Sequence, residues 1–63
     1  MNAFDQGHAA GLAEAAERHR IGDATSADDA ETWFTAPVGQ PDPEDFERGF
    51  LAGFAAYFAE VQE

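Results

Sequence analysis

Carboxylates are the one chemically capable side chain that this sequence holds in quantity. Thirteen acidic residues face three arginines and no lysine, for a formal net charge of −10. Carboxylates can shuttle protons, hold a cation, or present negative charge to a basic surface. Proton shuttling needs a concave, water-poor pocket, which 63 residues can hardly enclose. A thiolate metal site is excluded, because there is no cysteine. The two histidines, His8 and His19, lie roughly 16 Å apart along a helix. A zinc ion needs imidazole nitrogens within about 2.1 Å, so one ion cannot join them. Ser26, Thr25, Thr32 and Thr35 supply hydroxyls outside any nucleophile motif. The glycines sit inside helical patterns and form no phosphate-cradling loop. The expectation is a protein that is not an enzyme and takes no cofactor and no metal.

What remains is the presentation of charge. The acids concentrate in two stretches: Asp23, Asp28, Asp29 and Glu31, then Asp42, Glu44, Asp45 and Glu47. Glu14, Glu17, Glu60 and Glu63 add to them. So negative a chain repels nucleic acid and anionic membranes and is steered towards basic surfaces, including the grooves of nucleic-acid-binding proteins. Phosphates along duplex DNA recur about every 3.4 Å per strand, and carboxylates on adjacent helices approach that density. The two acidic stretches are therefore the expected partner-facing set. A plainer role competes for Asp28, Asp29, Glu44 and Asp45, which fall where acids favour helix N-termini. Solubility is a second plain role for the charge.

These residues need elements to position them. Asn2 to Arg20 reads as a helix, alanine-rich and free of proline, with Asn2 as N-cap and Asp5 in its first turn. Arg18, His19 and Arg20 crowd its C-terminal end, and Gly22 is a stop signal. A short helix follows over about 26–34, capped by Ser26 or Thr25 and ending in Trp33 and Phe34. Residues 35–41 read as a link. Asp42-Pro43-Glu44-Asp45 then combines an N-cap, proline at the first helical position and early carboxylates. The helix it opens runs over about 43–62, roughly 30 Å.

The two long segments resemble each other at an offset of 42 residues, Phe46 falling on Phe4. The shared pattern is F-[DE]-x-G-x-x-A-G-[LF]-A, spanning Phe4–Ala13 and Phe46–Ala55. Duplication and convergence on alanine-rich helices both account for it. Each copy holds a G-x-x-x-G pair, Gly7/Gly11 and Gly49/Gly53. Glycine costs a helix interior roughly 1 kcal/mol relative to alanine, so four of them imply close backbone approach between helices or between chains. Phe46, Phe50, Phe54, Tyr57, Phe58 and Val61 share one side of the last helix. Phe4, His8, Gly11, Leu12, Ala15 and His19 form the corresponding side of the first. Large rings against small residues make a core.

The expected fold is all-α: a small helical hairpin of two long helices with a short middle helix, in a single domain. Six phenylalanines, one tryptophan and one tyrosine exceed what such a hairpin covers, so dimerisation into a four-helix arrangement is a natural supplement. In size, charge and helicity the chain is similar to the small acidic proteins of phages and mobile elements. Several of those inhibit CRISPR effectors, restriction enzymes or other DNA-binding proteins. The resemblance implies an inhibitor that occupies a basic, nucleic-acid-binding surface of a partner protein. The alternative is a structural or adaptor module that self-associates, or binds a partner helix, through its Phe/Gly face. Without a basic n-region, an apolar h-region or a long apolar run, the expectation is a cytoplasmic protein that does not engage membranes.

Overall fold

The computed structural model describes residues 2–61. Its order is α1 (Ala3–Arg20), a 3-10 turn (Ala27–Asp29), α2 (Ala30–Trp33) and α3 (Pro43–Val61). The described residues are mostly helical and contain no strand, so the all-α class holds. The expected end of the last helix at Gln62, and Glu63, lie outside the described residues.

Local chemistry sets these boundaries. The Asn2 side chain accepts from the Asp5 N–H at 2.8 Å, satisfying one free donor of α1. At the other end Gly22 adopts φ +84°. Its N–H donates to the His19 carbonyl, and the Asp23 N–H to the Arg18 carbonyl at 2.8 Å. Those two bonds are a Schellman stop, which favours glycine at this position. Ser26 caps the 3-10 turn in a reciprocal capping box with Asp29. The Asp42 carbonyl accepts from the Phe46 N–H at 3.0 Å, which places Asp42 at the N-cap position of α3.

The two long helices pack side by side, but they run parallel. A Cβ on Gly7 would overlap the Phe46 carbonyl oxygen and lie 2.9 Å from the Phe50 nitrogen. One turn on, a Cβ on Gly11 would overlap the Phe50 carbonyl oxygen and lie 2.9 Å from the Phe54 nitrogen. Partners that advance together along both chains mean parallel axes. The hairpin expectation is thus corrected: a hairpin's helices are antiparallel and joined by a loop of about 2–5 residues. Here the chain from Ile21 to Asp42 travels back along the pair before α3 begins.

The approach is reciprocal. A Cβ on Gly49 would overlap the Phe4 carbonyl oxygen, and one on Gly53 that of His8. Each glycine on one helix faces the position 42 residues from its counterpart's contact, so the sequence repeat is also a local pseudo-twofold. Glycine Cα–H groups held against carbonyls add weak Cα–H···O contacts, and close backbones increase dispersion.

Facing backbones also set which residues are buried. On α1 these are Ala3, Gly7, Gly11 and Ala15, a line of small residues. Phe4, His8 and Leu12, expected on the packing side, lie at its flank, with Phe4 39% exposed. On α3, Gly49 and Gly53 meet α1, while Phe50, Phe54 and Phe58 form the core with Ala15, Ala24 and Ala30. The returning segment is the second layer over this row. Phe34 sits edge-on to Phe50 at 5.2 Å and tilted against Phe46 at 6.4 Å. Trp33 lies beneath the Arg18 guanidinium, 4.1 Å from its ring centre. Trp33 and Phe34 therefore belong to the core's edge. No buried side-chain polar atom lacks a partner among the described residues.

Candidate functional site

Several of the carboxylates are engaged within the fold. Arg18 reaches Glu14 at 3.0 Å and Asp23 at 3.5 Å. The Asp23 carbonyl also accepts from the Trp33 indole at 3.3 Å. The hydrogen bond that Arg18 donates to Glu14, then the charges of Glu14 and Asp23, hold the Arg18 pKa above its ordinary range. This clasp fastens the end of α1 to the returning segment, and Asp23 is a structural member of it. Asp29 is likewise engaged. Its carboxylate accepts from the Thr25 N–H at 2.9 Å and the Ser26 N–H at 3.4 Å. On α3, Asp45 pairs with Arg48 at 2.8 Å.

The other acids of the two stretches converge. Two shallow depressions share Leu51. One is lined by Glu44, Glu47, Arg48 and Leu51, the other by Ala27, Asp28, Ala30, Glu31 and Leu51. A third continues through Glu44 to Pro41, Asp42, Pro43 and Asp45. The fold therefore brings residues far apart in sequence to adjoining shallow depressions, which make an open groove between the 3-10 turn with α2 and the N-terminal half of α3. Asp28 and Glu31 form one bank, Glu44 and Glu47 the other. Ala27, Ala30 and the half-buried Leu51 form the floor. None of these four carboxylates has an ion pair among the described residues, because Arg48, the nearby cation, is turned to Asp45. Asp23 and Asp29 line none of the three depressions.

The acids of this groove are exposed on an open surface. No group of three or more metal-ligating side chains is assembled among the described residues. Among them, no helix is long and apolar enough to cross a membrane.

The glycines and phenylalanines assigned from sequence to folding or self-association are largely consumed within the chain. Gly7, Gly11, Gly49 and Gly53 are buried against the opposing helix. Phe50, Phe54 and Phe58 are buried, and Phe46 is half-buried against Phe34. Sequence reasoning missed Leu51. It lies next to the Phe stripe and reads as one more core residue, yet one edge of it lines the acidic groove. The signal was its surroundings: Glu44, Glu47 and Arg48 all lie three, four or seven positions before it, on the same side of a helix. No protein family's sequence profile matches the chain, and no curated protein or solved structure matches it.

Proposed function

We propose that this chain is a non-enzymatic acidic binding protein that occupies a basic surface on a partner protein, of the kind that ordinarily holds nucleic acid. The observation that carries the reading is the groove itself. Asp28, Glu31, Glu44 and Glu47 come from segments with separate structural duties, yet they line adjoining depressions whose one cation, Arg48, is paired with Asp45. Helix-end stabilisation accounts for Asp29 and contributes at Asp28, Glu31, Glu44 and Asp45, but it does not reach Glu47 and does not require the two sets to meet at Leu51. A net charge of −10 steers such a strip towards cationic partners and away from nucleic acid. In this reading the chain acts as an inhibitor of the anti-CRISPR or anti-restriction kind, in the cytoplasm, by competing with phosphates.

A second reading has its own observation. Phe4, His8 and Leu12 form a stripe on α1 that lies outside the core cluster, with Phe4 among the exposed large hydrophobics. Homodimerisation across this stripe would make the chain a self-associating module or adaptor. The notched Phe/Gly face is already filled by the chain's own helices, so self-association falls to this other side.

Affinity capture with tagged protein from host lysate at low and high salt separates the two. Recovery of a nucleic-acid-binding protein at low salt, released by added DNA or RNA, is the result expected for the inhibitor. Recovery of only untagged copies at both salt levels would sink it and favour the module.

A further inference from the structure

The acidic groove has an apolar floor, and that floor narrows the partner's chemistry. Ala30 is buried and Leu51 half-buried, with Ala27 beside them, and this floor runs between two carboxylate banks. A partner that offered only cations would leave the floor wet. Resting on the reading above, we propose that the groove docks a polypeptide segment carrying an aliphatic side chain between cationic ones. The aliphatic group seats on Leu51 between Ala27 and Ala30. Arginine or lysine on one side of it meets Asp28 and Glu31, and on the other Glu44 and Glu47, beside an Arg48 whose charge is taken up by Asp45.

Charge complementarity argues for this occupant over a second copy of the chain, whose net charge is also −10. The two contacts behave differently in salt. Exposed ion pairs weaken as the Debye length shortens, whereas burial of apolar surface does not. The carboxylates would set the rate and range of capture, and Leu51 the part of the affinity that survives at high salt.

The test uses two fluorescein-labelled helical peptides, alanine-based, with arginines flanking one leucine, or one glutamine in its place. Their binding to the full chain is followed by anisotropy across a salt series. The leucine peptide should bind about fivefold more tightly or better, and that ratio should hold as salt rises. The ratio should collapse in Leu51→Ala, once circular dichroism has shown that variant folded. The peptide pair alone keeps the test decisive if it is not. Glu44→Gln with Glu47→Gln, or Asp28→Asn with Glu31→Gln, should weaken both peptides at low salt, by up to about fivefold per charge. Equal, salt-sensitive binding of the two peptides would overturn the role of the floor while leaving the acidic reading intact. Binding of neither peptide at low salt would overturn both.

Discussion

Helices α1 and α3 carry the same pattern and make the same backbone contact, yet their flanks differ. On α3 the flank is Phe46, Phe50 and Phe54, and the returning segment covers it through Ala30 and Phe34. On α1 the equivalent positions are Phe4, His8 and Leu12, and no second layer covers them among the described residues. The comparison separates two jobs that one motif performs. Glycines fix how closely the helices meet, and the side chains beside them decide which side becomes the core.

The glycines should break the comparison most severely, because they serve both helices alike. Gly11→Leu or Gly53→Leu would drive a side chain into facing backbone, which cannot move aside as a side-chain tip can. Overpacking costs about 1–3 kcal/mol or more, against a total of about 3–5 kcal/mol for a core this small. Loss of the cooperative thermal transition by circular dichroism is expected. Even Gly11→Ala should destabilise, despite alanine's helix propensity. An unchanged or raised Tm would refute the close approach.

Next in size is the contrast between equivalent flank positions. Phe54→Ala removes a fully buried ring and should cost about 3–5 kcal/mol. Leu12→Ala, at the matching position of α1, should cost under about 1 kcal/mol. Urea denaturation of the two variants measures the difference directly. Similar costs would mean that the α1 flank is covered after all, as a homodimer would cover it, and the concentration dependence of Tm would then reveal that state.

Salt is a gentler lever. Thirteen acids against three arginines make the folded chain repel itself, so screening should stabilise it. A rise in Tm of a few degrees, about 4–8 °C for each kcal/mol regained, is expected between low and moderate ionic strength. A fall in Tm would mean that the ion pairs around Arg18 outweigh the repulsion.

The smallest effect belongs to the exposed pair at the end of α1. A hydrogen bond from Arg20, helped by the Arg20 and Arg18 charges, holds the Glu17 carboxyl below its ordinary value of 4.5. A depressed carboxylate stabilises above its unfolded pKa, and the contribution fades as pH falls through the folded value. Glu17→Gln should therefore leave Tm nearly unchanged at neutral pH, as exposed pairs contribute little. An NMR titration should place Glu17 below the usual glutamate range, returning to it in Arg20→Ala.

Much of the fold was legible because it obeys local rules. Asn2, Gly22, Ser26 and Pro43 mark helix ends by chemistry acting within three or four residues. Direction was harder, because a G-x-x-x-G face looks the same to a parallel and an antiparallel neighbour. Two signals were available. The span from Ile21 to Asp42 is far longer than a hairpin needs. A constant offset of 42 is also what like-to-like contact between parallel helices produces. The packing face of α1 was read in part: Gly11, Ala15 and His19 do meet α3, whereas Phe4, His8 and Leu12 were placed there because large apolar residues were weighted above small ones, and backbone contact demands the reverse. For the site, the sequence singled out Asp23, Asp28, Asp29, Glu31, Asp42, Glu44, Asp45 and Glu47 as charge, without separating Asp28, Glu31, Glu44 and Glu47 from those engaged in pairs and caps. The meeting of Asp28 and Glu31 with Glu44 and Glu47 around Leu51 depends on the return path, which no local rule specifies.

The parallel order has an electrical consequence. Antiparallel helices cancel their macrodipoles, while α1 and α3 add theirs. Both positive ends lie together, beside Asp5, Asp42, Glu44 and Asp45, and the opposite end of α1 holds Arg18, His19 and Arg20. At both positive ends, and at the C-terminal end of α1, the formal charges thus run against the backbone dipoles, giving the molecule an acidic head and a less acidic tail. A field from a distant cationic surface exerts a torque on such an object as well as a pull. It would turn before it touches, and arrive head first.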